Sequence, residues 1–296
     1  MNIDVVNRIK RLAIIALASD DELIETLVLK GGNAIDLAYS DHKGTVSRTS
    51  FDLDFSIDGG DFADSLEDIE ARIKKTLVQT YAENGYVVID YRFIIKPKNV
   101  KPEVADFWGG YAVEFKVIEQ TAYDKMPPNL DAQRRGSIAL RPDHSSKFQI
   151  EFSKFEYVGA GSKQPIEVDG YTVYVYTAEM IAFEKVRAIC QQLPEYAEII
   201  KSFTPRARAR DFYDIHLIME SYGVTIGSPA SVELLQNIFS SKKVPMAFLK
   251  EIRNNKSLHS NDWENVKATV SQSEEVKDFD FYFDYVVNTF EGITPL

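Results

Sequence analysis

The stretch Leu27–Asp58 decides how this chain reads: LVLKGGNAIDLAYS at 27–40, then RTSFDLDFSID at 48–58. In the second piece Phe51, Leu53, Phe55 and Ile57 alternate with Asp52, Asp54 and Ser56, the period of a strand with one apolar face. Residues two apart share a face, so Ser50, Asp52 and Asp54 project together, away from the core. Two carboxylates held side by side repel unless a cation neutralises them. Paired hard oxygens suit Mg²⁺, which keeps other positions for water and phosphate. In the first piece an apolar strand over Glu25–Leu29 ends at Lys30-Gly31-Gly32, ahead of a helical segment over Asn33–Tyr39. Glycines let backbone approach a phosphate, and the N–H groups of the next helix favour anions. Lys30 adds a charge, Asn33 is placed to cap the helix, and Arg48 carries a fork that can grip phosphate. Taken singly, each feature also fits an ordinary strand-to-helix turn beside a solvated strand.

Working outward, Val5–Ala18 and Ala63–Glu83 read as helices. Tyr86–Ile95, Tyr111–Ile118, Lys147–Tyr157 and Tyr171–Tyr176 read as strands. The segments Lys96–Gly110 and Thr121–Ser146, with their prolines and Gly109-Gly110, read as a loop-rich excursion on the sheet. From Thr177 the pattern turns helical: Ala178–Gln192, Arg208–Ser221, Ser231–Phe239 and Phe279–Phe290. Residues 1–176 thus form an α/β domain, and residues 177–296 a helical domain expected to complete a cleft.

Composition narrows the classes. Lys and Arg number 34 against 45 Asp and Glu, a net charge of −11, which argues against a surface coated in positive charge for nucleic acid. Phe51–Glu70 alone holds eight acidic residues and no Lys or Arg; from Asp58 onward they read as a solvated face. Cys190 is the single cysteine, so no internal disulfide or cysteine zinc cluster forms, and a reducing cytoplasm is the simplest home. The longest apolar run, near Leu12–Ala18, is far below the roughly 20 residues of a membrane helix, and the N-terminus lacks a signal-peptide pattern. The four histidines are scattered without ligand spacing, and no G-x-S-x-G occurs, so a zinc or serine hydrolase has no support.

The two quoted pieces resemble the AbiEii/AbiGii nucleotidyltransferase toxin family of bacteria, in the DNA polymerase β-like superfold. The family pattern is a KGG-x-A-aliphatic turn followed by R-x-S-x-D-L-D-F. Asn33 stands where the family more often has Thr or Ser. A second block agrees: YVYTAEMIAFEKVRAI at 174–189 resembles E-x-x-A-x-x-K-x-x-A, and Arg210-Asp211-Phe212-Tyr213-Asp214-Ile215 resembles R-D-x-Y-D-aliphatic. The resemblance implies an α+β fold, a mixed nucleotidyltransferase sheet with flanking helices followed by an all-helical region. Lys96–Ser146 matches no motif.

By resemblance a third carboxylate belongs on a neighbouring strand. Glu151, between Ile150 and Phe152, is the best match as metal ligand or general base, and Glu114, between Val113 and Phe115, competes with it. Lys185 is implied as a triphosphate ligand. Asp211 is implied as a catalytic-site residue contacting nucleotide or Lys185, with Tyr213 and Asp214 in supporting roles. The implied catalytic set is Asp52, Asp54, Glu151, Lys185 and Asp211. Asp52, Asp54 and Glu151 would hold two Mg²⁺. Lys30, Gly31, Gly32, Arg48, Ser50 and Lys185 would bind a nucleoside triphosphate, whose nucleotidyl group moves as pyrophosphate leaves. The family also implies a toxin of a toxin–antitoxin or phage-defence system, a cognate antitoxin, and tRNA as acceptor. Basic residues at Lys201, Arg206, Arg208 and Arg210, and at Lys242, Lys243, Lys250, Arg253 and Lys256, offer a local track for a phosphate backbone. Trp108, Tyr111, Arg134 and Arg135 in the excursion are placed to shape acceptor choice or dock an antitoxin. The rivals are transfer to an aminoglycoside-like small molecule or to a protein, including Ser50 itself, and a nucleotide-binding partner without turnover.

Overall fold

The computed structural model describes residues 2–39, 52–99, 101–141, 143–201, 203–268, 270 and 276–295. The predicted Arg48 and Ser50 lie outside them. In chain order the elements are helices α1 (Ile3–Ala18) and α2 (Asp21–Thr26), strand β1 (Leu27–Lys30), α3 (Gly31–Tyr39), β2 (Leu53–Ile57), α4 (Leu66–Glu83), β3 (Tyr86–Lys96) and β4 (Gly110–Glu119). Then come α5 (Gln120–Tyr123), α6 (Leu130–Arg135), β5 (Phe148–Ser153), β6 (Lys163–Val168) and β7 (Tyr171–Tyr176). The chain ends in α7 (Ala178–Cys190), α8 (Ala209–Tyr222), α9 (Pro229–Ser241), α10 (Lys256–Ser260), α11 (Trp263–Lys267) and α12 (Phe279–Phe290). The molecule divides into two compact units: Met1–Asn33 with Ser50–Val158 and Gln164–Val175, and Ala34–Thr49 with Gly159–Lys163 and Tyr176–Leu296.

The first unit is built on a seven-stranded sheet in the order β3-β4-β5-β2-β1-β7-β6. β2 runs antiparallel to β1 and parallel to β5, and β1 runs parallel to β7, so the sheet is mixed and the α+β expectation is met. The apolar face of β2, Leu53, Phe55 and Ile57, is fully covered, as the alternation requires. α1 and α4 pack together, with Ile9, Ile73, Leu77 and Tyr81 buried and the Tyr81 hydroxyl donating to the Ile9 carbonyl at 2.7 Å. Ser65 caps α4: its Oγ accepts from the Asp68 amide and donates to the Asp68 carboxylate.

Three local expectations change. Glu25 and Thr26 close α2, not a strand, because Asp20 caps a helical turn ahead of them through the Glu22 and Leu23 amides. β6 was not expected, since Lys163-Gln164-Pro165 is polar and carries a proline; Asp169 and Gly170, both at positive φ, join it to β7 as a tight hairpin turn. The excursion after β4 is partly helical. In it, Arg134 of α6 forks onto Asp90 at 2.7 and 3.0 Å, where β3 is bulged and Asp90 has φ 54°.

The second unit is helical. α7 packs on α8 and α9, and α12 packs on α8. Phe183, Val186, Phe212, Ile215, Phe283 and Phe290 are buried, and the Phe212 ring stacks on Phe283 and meets Phe279 edge-on. α8 stops at Gly223, which takes a left-handed φ of 62°.

Candidate active site

One cluster of chemistry lies in the first unit. The registers Lys30↔Asp54 and Asp54↔Glu151 set three side chains in a row across β1, β2 and β5, on the face opposite Leu53 and Phe55. Directly after Lys30 the chain turns into α3 at Gly31, with φ 68°. A Cβ on Gly31 would lie 3.3 Å from Asp54 Oδ2, so glycine serves both the turn and the close approach of the carboxylate to a helix N-terminus, whose dipole favours it. Asn33 does not cap this helix, which has already begun. Its Oδ1 accepts from Lys10 Nζ at 3.1 Å and its Nδ2 donates to the Asp52 carbonyl at 2.6 Å, tying the start of the carboxylate strand to α1 and α3.

The carboxylates meet cations that the motifs did not announce. Arg141 donates to Asp52 Oδ1. Lys96 Nζ donates to Glu151 Oε1 at 2.8 Å, and Gln149 donates to the same oxygen. The Asp52 side chain is 38% exposed and Glu151 42%. Burial, helped by the charge of Glu151, raises the Asp52 carboxyl above its ordinary value, against Arg141, Lys147 and Lys96. Lys30 pairs at 3.4 Å with Glu156. Glu114, the competing acid, pairs at 2.8 Å with Lys147 and stands in register with Gln149, two residues along β5 from Glu151. Glu151 is thus the acid beside Asp54.

The second cluster lies in the helical unit. Lys185 of α7 donates to Asp211 at 2.9 Å and to Asp214 at 2.8 Å, both on α8. Arg208 adds a bond to Asp211 at 3.0 Å. The Lys185, Asp211 and Asp214 side chains are 14%, 8% and 9% exposed. Burial alone would raise the Asp211 carboxyl, but Lys185 and Arg208 outweigh it and hold the carboxyl below its usual range. Burial opposes the Lys185 charge, and its two carboxylates outweigh that and raise its pKa. His259, fully buried, accepts the Arg208 amide on Nδ1, and burial lowers its pKa to about 4. Asp214 therefore shares Lys185 equally with Asp211.

The basic stretches divide. Lys201, Arg206 and Arg210 are exposed, whereas Arg208 is spent on Asp211. Lys242 is buried, Arg253 pairs with Glu291 and Lys256 with Asp280, and Lys243 and Lys250 are exposed. In the excursion Arg134 is engaged with Asp90, and Tyr111, on β4, is buried with its hydroxyl on Asp61.

The nucleotidyl transferase AbiEii toxin family, of the type IV toxin–antitoxin systems, matches residues 14–285. The chain belongs to this family. The resemblance read from KGG, DLD and RDFYD is therefore borne out over nearly the whole chain, and this AbiEii-family protein is a nucleotidyltransferase. No curated protein matches it. Among solved structures it is similar to an antigenic nucleotidyltransferase-like protein from Paracoccidioides brasiliensis, 14% identical over 89% of this chain and 95% of that one, with a TM-score of 0.39. It is also similar to the antibiotic-resistance factor ANT(2'')-Ia, 15% identical over 82% of this chain and 95% of that one, with a TM-score of 0.35. Among the described residues of the AbiEii-family chain, no helix is long and apolar enough to cross a membrane, and no three His, Cys, Asp or Glu side chains converge as one metal cage.

The donors nonetheless fit a divalent ion of the Mg²⁺ kind. Asp52, Asp54 and Glu151 offer hard oxygens in pairs, half-open to solvent, and Mg²⁺ is ordinarily held by one or two carboxylates with water and phosphate completing its shell.

Proposed function

We propose that this chain transfers a nucleotidyl group from a nucleoside triphosphate to an RNA acceptor of the tRNA kind, releasing pyrophosphate, as the toxin partner of a cognate antitoxin in the cytoplasm. The observation that carries this reading is the row Lys30–Asp54–Glu151, with Asp52 immediately before β2 and Gly31 packed against Asp54. Asp52, Asp54 and Glu151 would hold two Mg²⁺, which supply Lewis acidity at the α-phosphate and an acidified acceptor hydroxyl. Gly31 and Gly32 present backbone N–H groups at the start of α3 to phosphate oxygens. Lys30 offsets the charge of the triphosphate, and the family motif adds Arg48 and Ser50, outside the described residues, as nucleotide-binding groups. Within the helical unit Lys185 spends two N–H groups on Asp211 and Asp214, leaving the third for a phosphate oxygen, while Asp211 fixes its position. The protein's contribution is placement and charge rather than covalent chemistry.

Exposed Lys201, Arg206 and Arg210 support an RNA backbone. A second reading, transfer to a small cationic acceptor, draws on the net charge of −11 and on the internal pairing of Arg253 and Lys256. Incubation of the protein with each of the four α-³²P triphosphates, Mg²⁺ and either tRNA or an aminoglycoside separates them. Label in tRNA is expected; label in the aminoglycoside alone selects the second reading, and label in neither, with no pyrophosphate formed, rejects both.

A further inference from the structure

The cations on the carboxylates come from parts of the chain that carry no family motif. Arg141 reaches Asp52 across 89 positions, and Lys96 reaches Glu151 across 55. Arg141 is delivered by a tight turn. The Leu140 and Arg141 amides both donate to the Ser145 carbonyl, at 2.8 and 3.2 Å, and the His144 amide donates back to the Arg141 carbonyl at 3.0 Å. Leu140 is buried beneath it. Lys96 is the last residue of β3, opposite Gly110, which in turn faces Ser153 of β5. The backbone of both residues is therefore fixed, while their side chains end at a half-open surface: Arg141 is 29% exposed and Lys96 41%. Pairs this exposed add little to folding. Their place on the acids proposed to bind metal calls for a different use.

We infer that Arg141 and Lys96 are exchange cations that rest on Asp52 and Glu151 in the free protein and become ligands of the triphosphate when a metal–nucleotide complex takes those carboxylates. The inference rests on the reading of Asp52, Asp54 and Glu151 as the metal-holding acids. A guanidinium fork matches carboxylate and phosphate oxygens alike, so Arg141 changes partner without changing chemistry. The ammonium of Lys96 is a point charge that tracks whichever anion is nearest. In the free protein the two side chains offset carboxylate repulsion. In the loaded protein the same charges fall on phosphate oxygens, and no unpaired cation is left in either state.

The consequence is an opposite effect of one substitution on two ligands. Arg141→Gln removes a competitor from Asp52 and a ligand from the triphosphate. Free Mn²⁺, followed by its electron paramagnetic resonance signal, is expected to bind the variant about threefold tighter, and each α,β-imido triphosphate with Mg²⁺, followed by calorimetry, about tenfold more weakly, as the loss of a charge-assisted bond implies. Lys96→Gln is expected to shift both in the same directions by less, and serves in its place if Arg141→Gln does not fold. Arg141→Lys is expected to restore part of the triphosphate affinity. Weaker binding of both ligands, or no change in either, overturns the exchange. The control is Asp52→Asn with Asp54→Asn. If Mn²⁺ binding to that double variant matches the unmutated protein, the metal reading itself falls and the exchange with it. If Mn²⁺ requires the two aspartates yet ignores Arg141 and Lys96, the exchange alone falls.

Discussion

The two clusters use the same ingredients, carboxylates and long cations, and treat them in opposite ways. At the central strands of the sheet Asp52 and Glu151 are 38% and 42% exposed and each is met by a side chain from far along the chain. In the helical unit Lys185, Asp211 and Asp214 are nearly sealed and come from two helices that follow one another in the chain and pack together. A half-open pair in high dielectric is weak and exchangeable. A buried trio is held because removing any member strands a charge away from water. The sheet cluster is therefore suited to ligand exchange, whereas the helical trio is suited to holding one lysine in one place.

The sharpest break between them is in chemistry against stability. Asp54→Asn is expected to lower nucleotidyl transfer by about a thousandfold or more, equivalent to about 4 kcal/mol of barrier, with a melting temperature close to that of the unmutated chain; initial rates of pyrophosphate release and a thermal melt check both. Lys185→Met is expected to do the reverse first. It leaves Asp211 and Asp214 buried without their cation and is expected to cost about 3–5 kcal/mol of stability, read by urea unfolding. Arg141→Gln in the sheet cluster is expected to cost under about 1 kcal/mol in the same assay. Equal losses for the two would erase the distinction.

Acid sharpens it further. The folded-state pKa of His259, lowered by burial to about 4, lies below the ordinary 6.5, so the unfolded chain takes the proton first. The stability held by neutral His259 is fully present above about 6.5 and is lost as pH falls to about 4, about 3 kcal/mol in all by linkage. Unfolding free energies measured at intervals across that window are expected to slope, and His259→Gln, whose amide oxygen can still accept the Arg208 N–H, is expected to flatten them. The smallest effect expected is at the glycine turn. Gly31→Ala forces a side chain to φ 68° and 3.3 Å from Asp54 Oδ2, with a cost of about 1–2 kcal/mol and a fall in transfer larger than that of a matched substitution at the exposed, unconstrained Gly292.

Much of this was legible before the structure. The period of two placed Asp52 and Asp54 on one face and Leu53, Phe55 and Ile57 in the core, and the family resemblance offered Lys185 as one of two partners for Asp211, 26 residues away, the other being nucleotide. The cations on the acids were not legible. Arg141 and Lys96 meet their partners through strand order and a turn in a segment without periodicity, and no local spacing encodes a pairing across 89 or 55 positions. Asn33 was misread because a small polar residue after two glycines looks like a cap; the helix starts two residues earlier, at Gly31. The β6–β7 hairpin had a signal in Asp169-Gly170, masked by the polar, proline-bearing strand before it.

The account's central claim is that the β2 carboxylates run metal-dependent nucleotidyl transfer. The most direct test is one reaction run in parallel with α-³²P- and γ-³²P-labelled triphosphate, with Mg²⁺ and tRNA, using the unmutated protein and Asp52→Ala. The account predicts α-label in the RNA and γ-label in pyrophosphate, both lost on adding EDTA and both lost in Asp52→Ala. Transfer of α-label that persists undiminished in Asp52→Ala, or in EDTA, would contradict it.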